Sequence, residues 1–172
     1  IRSLGFFATV AVSARQGKAK ASVIVDVSVK EKPTGSVSLG GSYSTSSGFG
    51  LLLEYAERNY LGRGHDFRLK YNSGVGSRTY SLGFIEPEFL SPGLSLGLSS
   101  KFTETEKENS NYDTTILDVS PQVSFPISDY SNISVSIGYN ETELREPVNV
   151  GNIIQNEVNM GQEERAYSKV AY

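Results

Sequence analysis

His65-Asp66-Phe67-Arg68-Leu69-Lys70-Tyr71 decides how this chain folds. Phe67, Leu69 and Tyr71 are apolar, and Asp66, Arg68 and Lys70 between them are charged. A helix would scatter these side chains around its circumference. A strand sends successive side chains to opposite faces and sorts them into one apolar row and one charged row.

The same alternation repeats in both directions. Upstream, Phe49, Leu51, Leu53 and Tyr55 alternate with Gly50, Glu54 and Ala56, and before them Val37, Leu39 and Tyr43 alternate with Ser36, Ser38, Gly40 and Ser42. Downstream, Tyr80, Leu82 and Phe84 face away from Thr79, Ser81 and Gly83. Leu94, Leu96, Leu98 and Phe102 follow, then Leu117, Val119, Val123 and Phe125, then Ile133, Val135, Ile137 and Tyr139. Val170 and Tyr172 begin an eighth run. Soluble sandwiches alternate as well. The runs here span about nine to twelve residues, however, which suits a tilted crossing of a hydrocarbon layer better than the shorter soluble strand.

The connections point the same way. One set is compact and rich in Gly, Pro and aromatics: 59–64 (NYLGRG), 86–93 (EPEFLSPG) and 126–130 (PISDY). The other set is polar and lengthens along the chain, through Thr103–Asn111 to Arg145–Glu164. Short turns at one end and long loops at the other are the asymmetry of an outer-membrane barrel. Tyr43, Tyr55, Tyr71, Tyr112 and Phe125 lie near strand ends, where interfacial aromatics gather. The expected lipid-facing residues are Leu51, Leu53, Tyr55, Phe67, Leu69, Tyr71, Leu82, Phe84, Leu96, Leu98, Val135 and Ile137.

Composition removes most other classes. In 172 residues there is no Cys and one His, so disulfides, zinc-thiolate sites and thiol nucleophiles are excluded. A net charge of −3 argues against nucleic-acid binding. The longest aliphatic run is Leu51–Leu53, too short for a transmembrane helix. No metal, phosphate or nucleotide motif is present, and no cofactor is expected.

Residues 1–33 read as a separate unit, with 34–172 as the barrel portion. Ile1–Phe7 resembles a last helical turn with a glycine stop. Phe7–Ala14 and Ala21–Lys30 read as strands joined by a turn at Arg15–Lys18, and Pro33 ends the hairpin. The opening at Ile1 and the close at Tyr172, inside an alternation, both read as cut ends.

His65 beside Asp66 is a candidate base, but it follows a Gly-rich turn and no nucleophile elbow is present, so it reads as a solvated turn residue. Glu86 and Glu88 flank Pro87 and read as turn residues rather than paired catalytic acids. The Asn132-Ile133-Ser134 and Asn140-Glu141-Thr142 sequons fall in or beside a strand and read as chance. The informative element is the first strand of the series, Ser36–Thr45, whose centre is Gly40-Gly41. Glycine weakens a strand, which suits a seam that can open; it also suits simple curvature, and both readings stand.

The runs 31–36 (EKPTGS), 57–64 (ERNYLGRG) and 84–90 (FIEPEFL) resemble the outer-membrane assembly factors of the Omp85 superfamily, and the likeness extends over the whole chain. This resemblance implies an all-β architecture: a partial antiparallel transmembrane β-barrel, about the first seven or eight of some sixteen strands. The C-terminal part of an α/β POTRA domain would precede it in the periplasm. It further implies a non-enzymatic insertase without cofactor in the bacterial outer membrane. Nascent β-barrel proteins would pair with Ser36, Val37, Ser38, Leu39, Gly40, Gly41, Ser42 and Tyr43. Outer-membrane lipids and accessory lipoproteins would be the other partners, the hairpin at 8–30 offering an edge to clients or lipoproteins. A related polypeptide transporter or pore is the alternative, and an outer-membrane phospholipase a weaker one.

Overall fold

The computed structural model describes residues 5–18, 22–45, 48–106, 113–128, 130–145, 156 and 161–172. The chain divides into two units, Ile1–Gly35 and Ser36–Tyr172. Among the described residues no helix is long and apolar enough to cross a membrane.

In the first unit, β1 (Phe7–Gln16) pairs antiparallel with β2 (Val23–Glu31), Val12 opposite Val27 and Ala14 opposite Val25. Arg15 and Gln16, expected in the turn, extend β1. Arg15 reaches across the hairpin to Asp26 at 2.7 Å and holds the ladder open to its end. Phe7 begins β1 rather than ending a helix, while residues 1–4 of the expected helical stub lie outside the described residues.

The second unit is one eight-stranded meander: β3 (Gly35–Ser44), β4 (Gly48–Tyr60), β5 (His65–Gly74), β6 (Ser77–Glu86), β7 (Ser95–Thr105), β8 (Asp113–Ser128), β9 (Ser131–Arg145) and β10 (Glu163–Ala171). Spatial order follows chain order from β3 at one edge to β10 at the other, and each pairing from β4 onward is antiparallel. Every alternating run identified in the sequence is a strand.

Three strands exceed the expected length: β4 has 13 residues, β8 16 and β9 15. The ladder continues past the apolar stretch wherever polar pairs cross it, as with Thr115 opposite Glu143 and Asp113 opposite Arg145. For the same reason Thr103–Thr105 belong to β7, and the last strand begins at Glu163, well before Val170. Pro121 stands inside β8, opposite Leu98 of β7. The β8–β9 ladder skips from Val119 to Gln122, where a ring replaces an N–H.

The 59–64 turn is built for a hairpin. Leu61 and Gly62 sit at φ 57° and 71°, and Arg63 N–H donates to the Tyr60 carbonyl at 3.3 Å. Two successive left-handed residues match the right-handed twist of the flanking strands. Asn59 Oδ1 closes the turn by accepting from Gly64 N–H at 2.8 Å.

No described hydrophobic side chain is buried, and Thr115, at 9% exposure, is the one buried polar residue. A soluble sheet of this size would cover one face with a second layer. This sheet is open on both faces.

Candidate functional site

Cross-strand pairing sorts the side chains into rows. One row runs Tyr55, Leu69, Leu82, Ser100, Val119, Tyr139 and Ala166, from β4 to β10. The row on one side of it holds Leu53, Tyr71, Tyr80, Phe102 and Leu117, and the row on the other side Phe67, Phe84 and Leu98. All twelve residues expected to meet lipid fall on this one face. Ring contacts knit it: Tyr71 to Tyr80 at 5.0 Å, Tyr80 to Phe102 at 6.2 Å, and Phe67 to Tyr60 at 5.0 Å.

The apolar band runs obliquely to the strands. On β4 it covers Phe49 to Tyr55, and on β9 it covers Ile133 to Tyr139. Yet Tyr55, the last band residue of β4 toward the short turns, is level with Tyr139, the last of β9 toward the long loops. The band has therefore drifted about six residues, or ~20 Å, over five strand spacings of ~4.8 Å. That slope corresponds to strands tilted by roughly 40° from the perpendicular to the band, within the range of outer-membrane barrels. Charge marks both borders of the band: Arg78 and Glu104 on the loop side, Glu57, His65 and Glu86 on the turn side.

The opposite face is polar. Glu54, Lys70, Ser81, Lys101, Asp118, Asn140 and Arg165 form one row across it. Lys70 lies 4.0 Å from Glu54, and Arg68 makes two bonds of 2.9 Å to Asp66. The next row is small, with Gly83, Ser99 and Gly138. Over Gly138 lies the ring of Tyr167, whose hydroxyl donates to Asp118 at 3.0 Å from two strands away. The sequence reading missed this clasp; the signal available was a lone Tyr on a polar face opposite a Gly.

The strand expected to pair with clients is β3, which among the described residues is an edge of the sheet, hydrogen-bonded to β4. Val37, Leu39 and Tyr43 are 77%, 73% and 77% exposed, against 41% for Leu53 and 42% for Leu69 on inner strands. Ser42 Oγ fills the place where Gly50 lacks a side chain, and Gly40 sits over Leu52. Gly41 faces the Phe49 ring with no side chain of its own. Both central glycines of β3 thus hold their partner strand by backbone bonds and little packing.

The two suspected catalytic features do not converge into a site. His65 Nε2 lies 3.8 Å from Glu86 and its ring packs on Phe84 at 5.2 Å, at the border of the apolar band. Glu88 lies apart in the turn after β6. Among the described residues no cluster of His, Asp and Glu is arranged to hold a metal.

A coreless antiparallel meander with a tilted apolar band on one face and charges on the other defines the class: a segment of a membrane-spanning β-barrel. Comparison then gives the family. The Omp85 superfamily domain matches residues 59–168, and the chain belongs to that superfamily. It is similar to outer membrane protein assembly factor BamA of Neorickettsia risticii, 26% identical over 140 residues, covering 81% of this chain and 19% of that protein. A putative outer membrane protein assembly factor of Treponema pallidum is 26% identical over 106 residues, 59% of this chain and 13% of its own. The crystal structure of BamA from Haemophilus ducreyi lacking POTRA domains 1–3 superposes with a TM-score of 0.73 at 22% identity. That match covers 98% of this chain and 34% of the other. The chain thus spans about a fifth or less of the length of these curated relatives.

Proposed function

We propose that this chain carries the seam-bearing half of the barrel of an outer-membrane protein insertase. The observation that carries the reading is β3: an exposed edge strand, weakened by Gly40-Gly41, at the end of a sheet whose apolar band is already tilted for a bilayer. An edge strand offers a row of backbone donors and acceptors, and an incoming strand satisfies them by β-augmentation. Glycine lowers the cost of parting that edge from whatever strand otherwise closes on it.

In this reading the apolar band meets lipid, the charged face lines the lumen, and the turns at 59–64, 86–93 and 126–130 lie on the periplasmic side. The hairpin unit at the N-terminus is the end of a POTRA domain in the periplasm, and it offers its own edge to clients or accessory lipoproteins. No bond is made or broken; burial of client apolar surface in lipid supplies the driving force.

Photocrosslinkers at Val37, Leu39 and Tyr43 of the full-length protein test the assignment. Adducts with unrelated nascent barrel proteins are expected from at least one position, and their absence from all three overturns it. The charged row on the other face also suits a polypeptide-conducting pore. Depletion separates the two: loss of an insertase lowers many outer-membrane barrels, whereas loss of a transporter lowers one substrate.

A further inference from the structure

A groove of about 540 Å³ crosses the apolar face of β4 to β7 and ends against Val37 of β3. Leu69, Leu82 and Ser100 form its floor, and Tyr71, Tyr80 and Phe102 rise along one side. Its cause is local. Between β4 and β9, Ser100 is the one small side chain in its row, the others being Tyr55, Leu69, Leu82, Val119 and Tyr139, so the floor drops between Leu82 and Val119. Resting on the membrane reading above, we infer that this groove seats one acyl chain of a membrane lipid beside the seam.

The chemistry selects the occupant. Each of β5, β6 and β7 is hydrogen-bonded to a neighbour on both sides, so the floor has no ladder positions left to offer a polypeptide. A peptide laid across it would leave its own N–H and C=O groups unsatisfied in an apolar setting, at a cost of several kcal/mol per group. A hydrocarbon chain carries no such groups. At about 30 Å³ per methylene, close to the volume of a water molecule, the groove holds a chain of ordinary lipid length. Charge also stops where a headgroup would begin: Arg78 and Glu104 lie on the same face, one row beyond Tyr80 and Phe102.

The test uses the full-length protein in phosphatidylethanolamine–phosphatidylglycerol vesicles doped with a phospholipid bearing a diazirine in its acyl chain. Adducts are mapped by mass spectrometry. Labelling at Leu69, Leu82 and Ser100 is expected to exceed that at Val135 and Ile137 several-fold. Ser100→Leu is expected to abolish the excess and leave β9 labelling unchanged. Even labelling from β4 to β9, or an excess that survives Ser100→Leu, overturns the seat while leaving the membrane face intact. No labelling on either stretch overturns the membrane face itself. Client polypeptide captured from a photocrosslinker at Leu82, in place of lipid, overturns the choice of occupant.

Discussion

Leu82 and Ser81 are neighbours in the chain and opposites in the fold, and an arginine at each measures what lies beyond each face. On the apolar face of β6 the nearest charges in line with Leu82 are Arg78 and Glu86. They stand about eight residues apart, roughly 27 Å along the strand and ~20 Å along the normal at a 40° tilt. Leu82 is midway between them. Arginine at the midplane of a barrel's lipid face costs about 2–4 kcal/mol, so Leu82→Arg is expected to lower stability by that amount. Ser81 shares the polar face with Lys70 and Lys101, its partners across the ladder. Ser81→Arg is expected to cost under about 1 kcal/mol, the repulsion of solvated like charges across the ladder. The assay is denaturant unfolding of the full-length protein in lipid vesicles, with the folded fraction read from heat-modifiable electrophoretic mobility. Equal costs at the two positions would refute the two-faced sheet. A cost below about 1 kcal/mol at Leu82 would refute lipid as its surroundings.

Three further outcomes use the same assay. Gly83→Ala, whose Cβ meets Arg68 Cβ at an unstrained 3.9 Å, is expected to stabilise by about 0.5–1 kcal/mol through lost unfolded-state freedom. Gly138→Ala, whose Cβ would fall 2.0 Å from the Tyr167 ring, is expected to destabilise, and to turn stabilising once Tyr167→Ala has removed the ring; the same sign as Gly83→Ala in the native background would show that the clasp is not formed. Leu61→Asn is expected to stabilise by about 1 kcal/mol, because a leucine at φ 57° bears the left-handed penalty that asparagine largely escapes, and a loss would mean that the 75% exposed Leu61 side chain is packed against something in the assembled protein.

Much of the fold was legible in the chain because period-two alternation is a local signal. Phe67, Leu69 and Tyr71 had to share a face whatever their partners, and the twelve apolar positions named from that rule do share one. What was not legible is long-range. The length of β8 and β9 is set by polar pairs such as Asp113 with Arg145, which look like loop residues until both strands are in place. Pro121 argues against an inner strand on its own, and its place in one depends on which neighbour its missing N–H faces. Tyr167 and Asp118 are distant in sequence, and a lone Tyr on a polar face does not name the partner that its hydroxyl will reach. The groove is likewise a property of the register: Ser100 is one serine among many until pairing sets it between Leu82 and Val119.

A drift of six residues over five strands is about 1.2 residues per strand, and a barrel closes only if tilt and stagger are sustained around its circumference. A strand that adds to the open edge of β3 must continue that drift. Backbone bonds alone would accept it in several registers, but a slip of one residue would turn its whole apolar set toward the lumen. If β3 is the client seam proposed above, Val37, Leu39 and Tyr43 would do more than cover an edge. They would fix the level at which an incoming strand has to present its own apolar side chains if both are to lie in one continuous band. Selection for a client on this view needs no sequence motif beyond alternation placed at the right height. Under that proposal the glycines at 40 and 41 would contribute nothing to the choice of register and would let the edge part. Removing the side chains at 37, 39 and 43 should accordingly blur the register of captured clients, as mapped by paired-cysteine crosslinking, before it abolishes capture. Loss of capture with register unchanged would place the selection elsewhere.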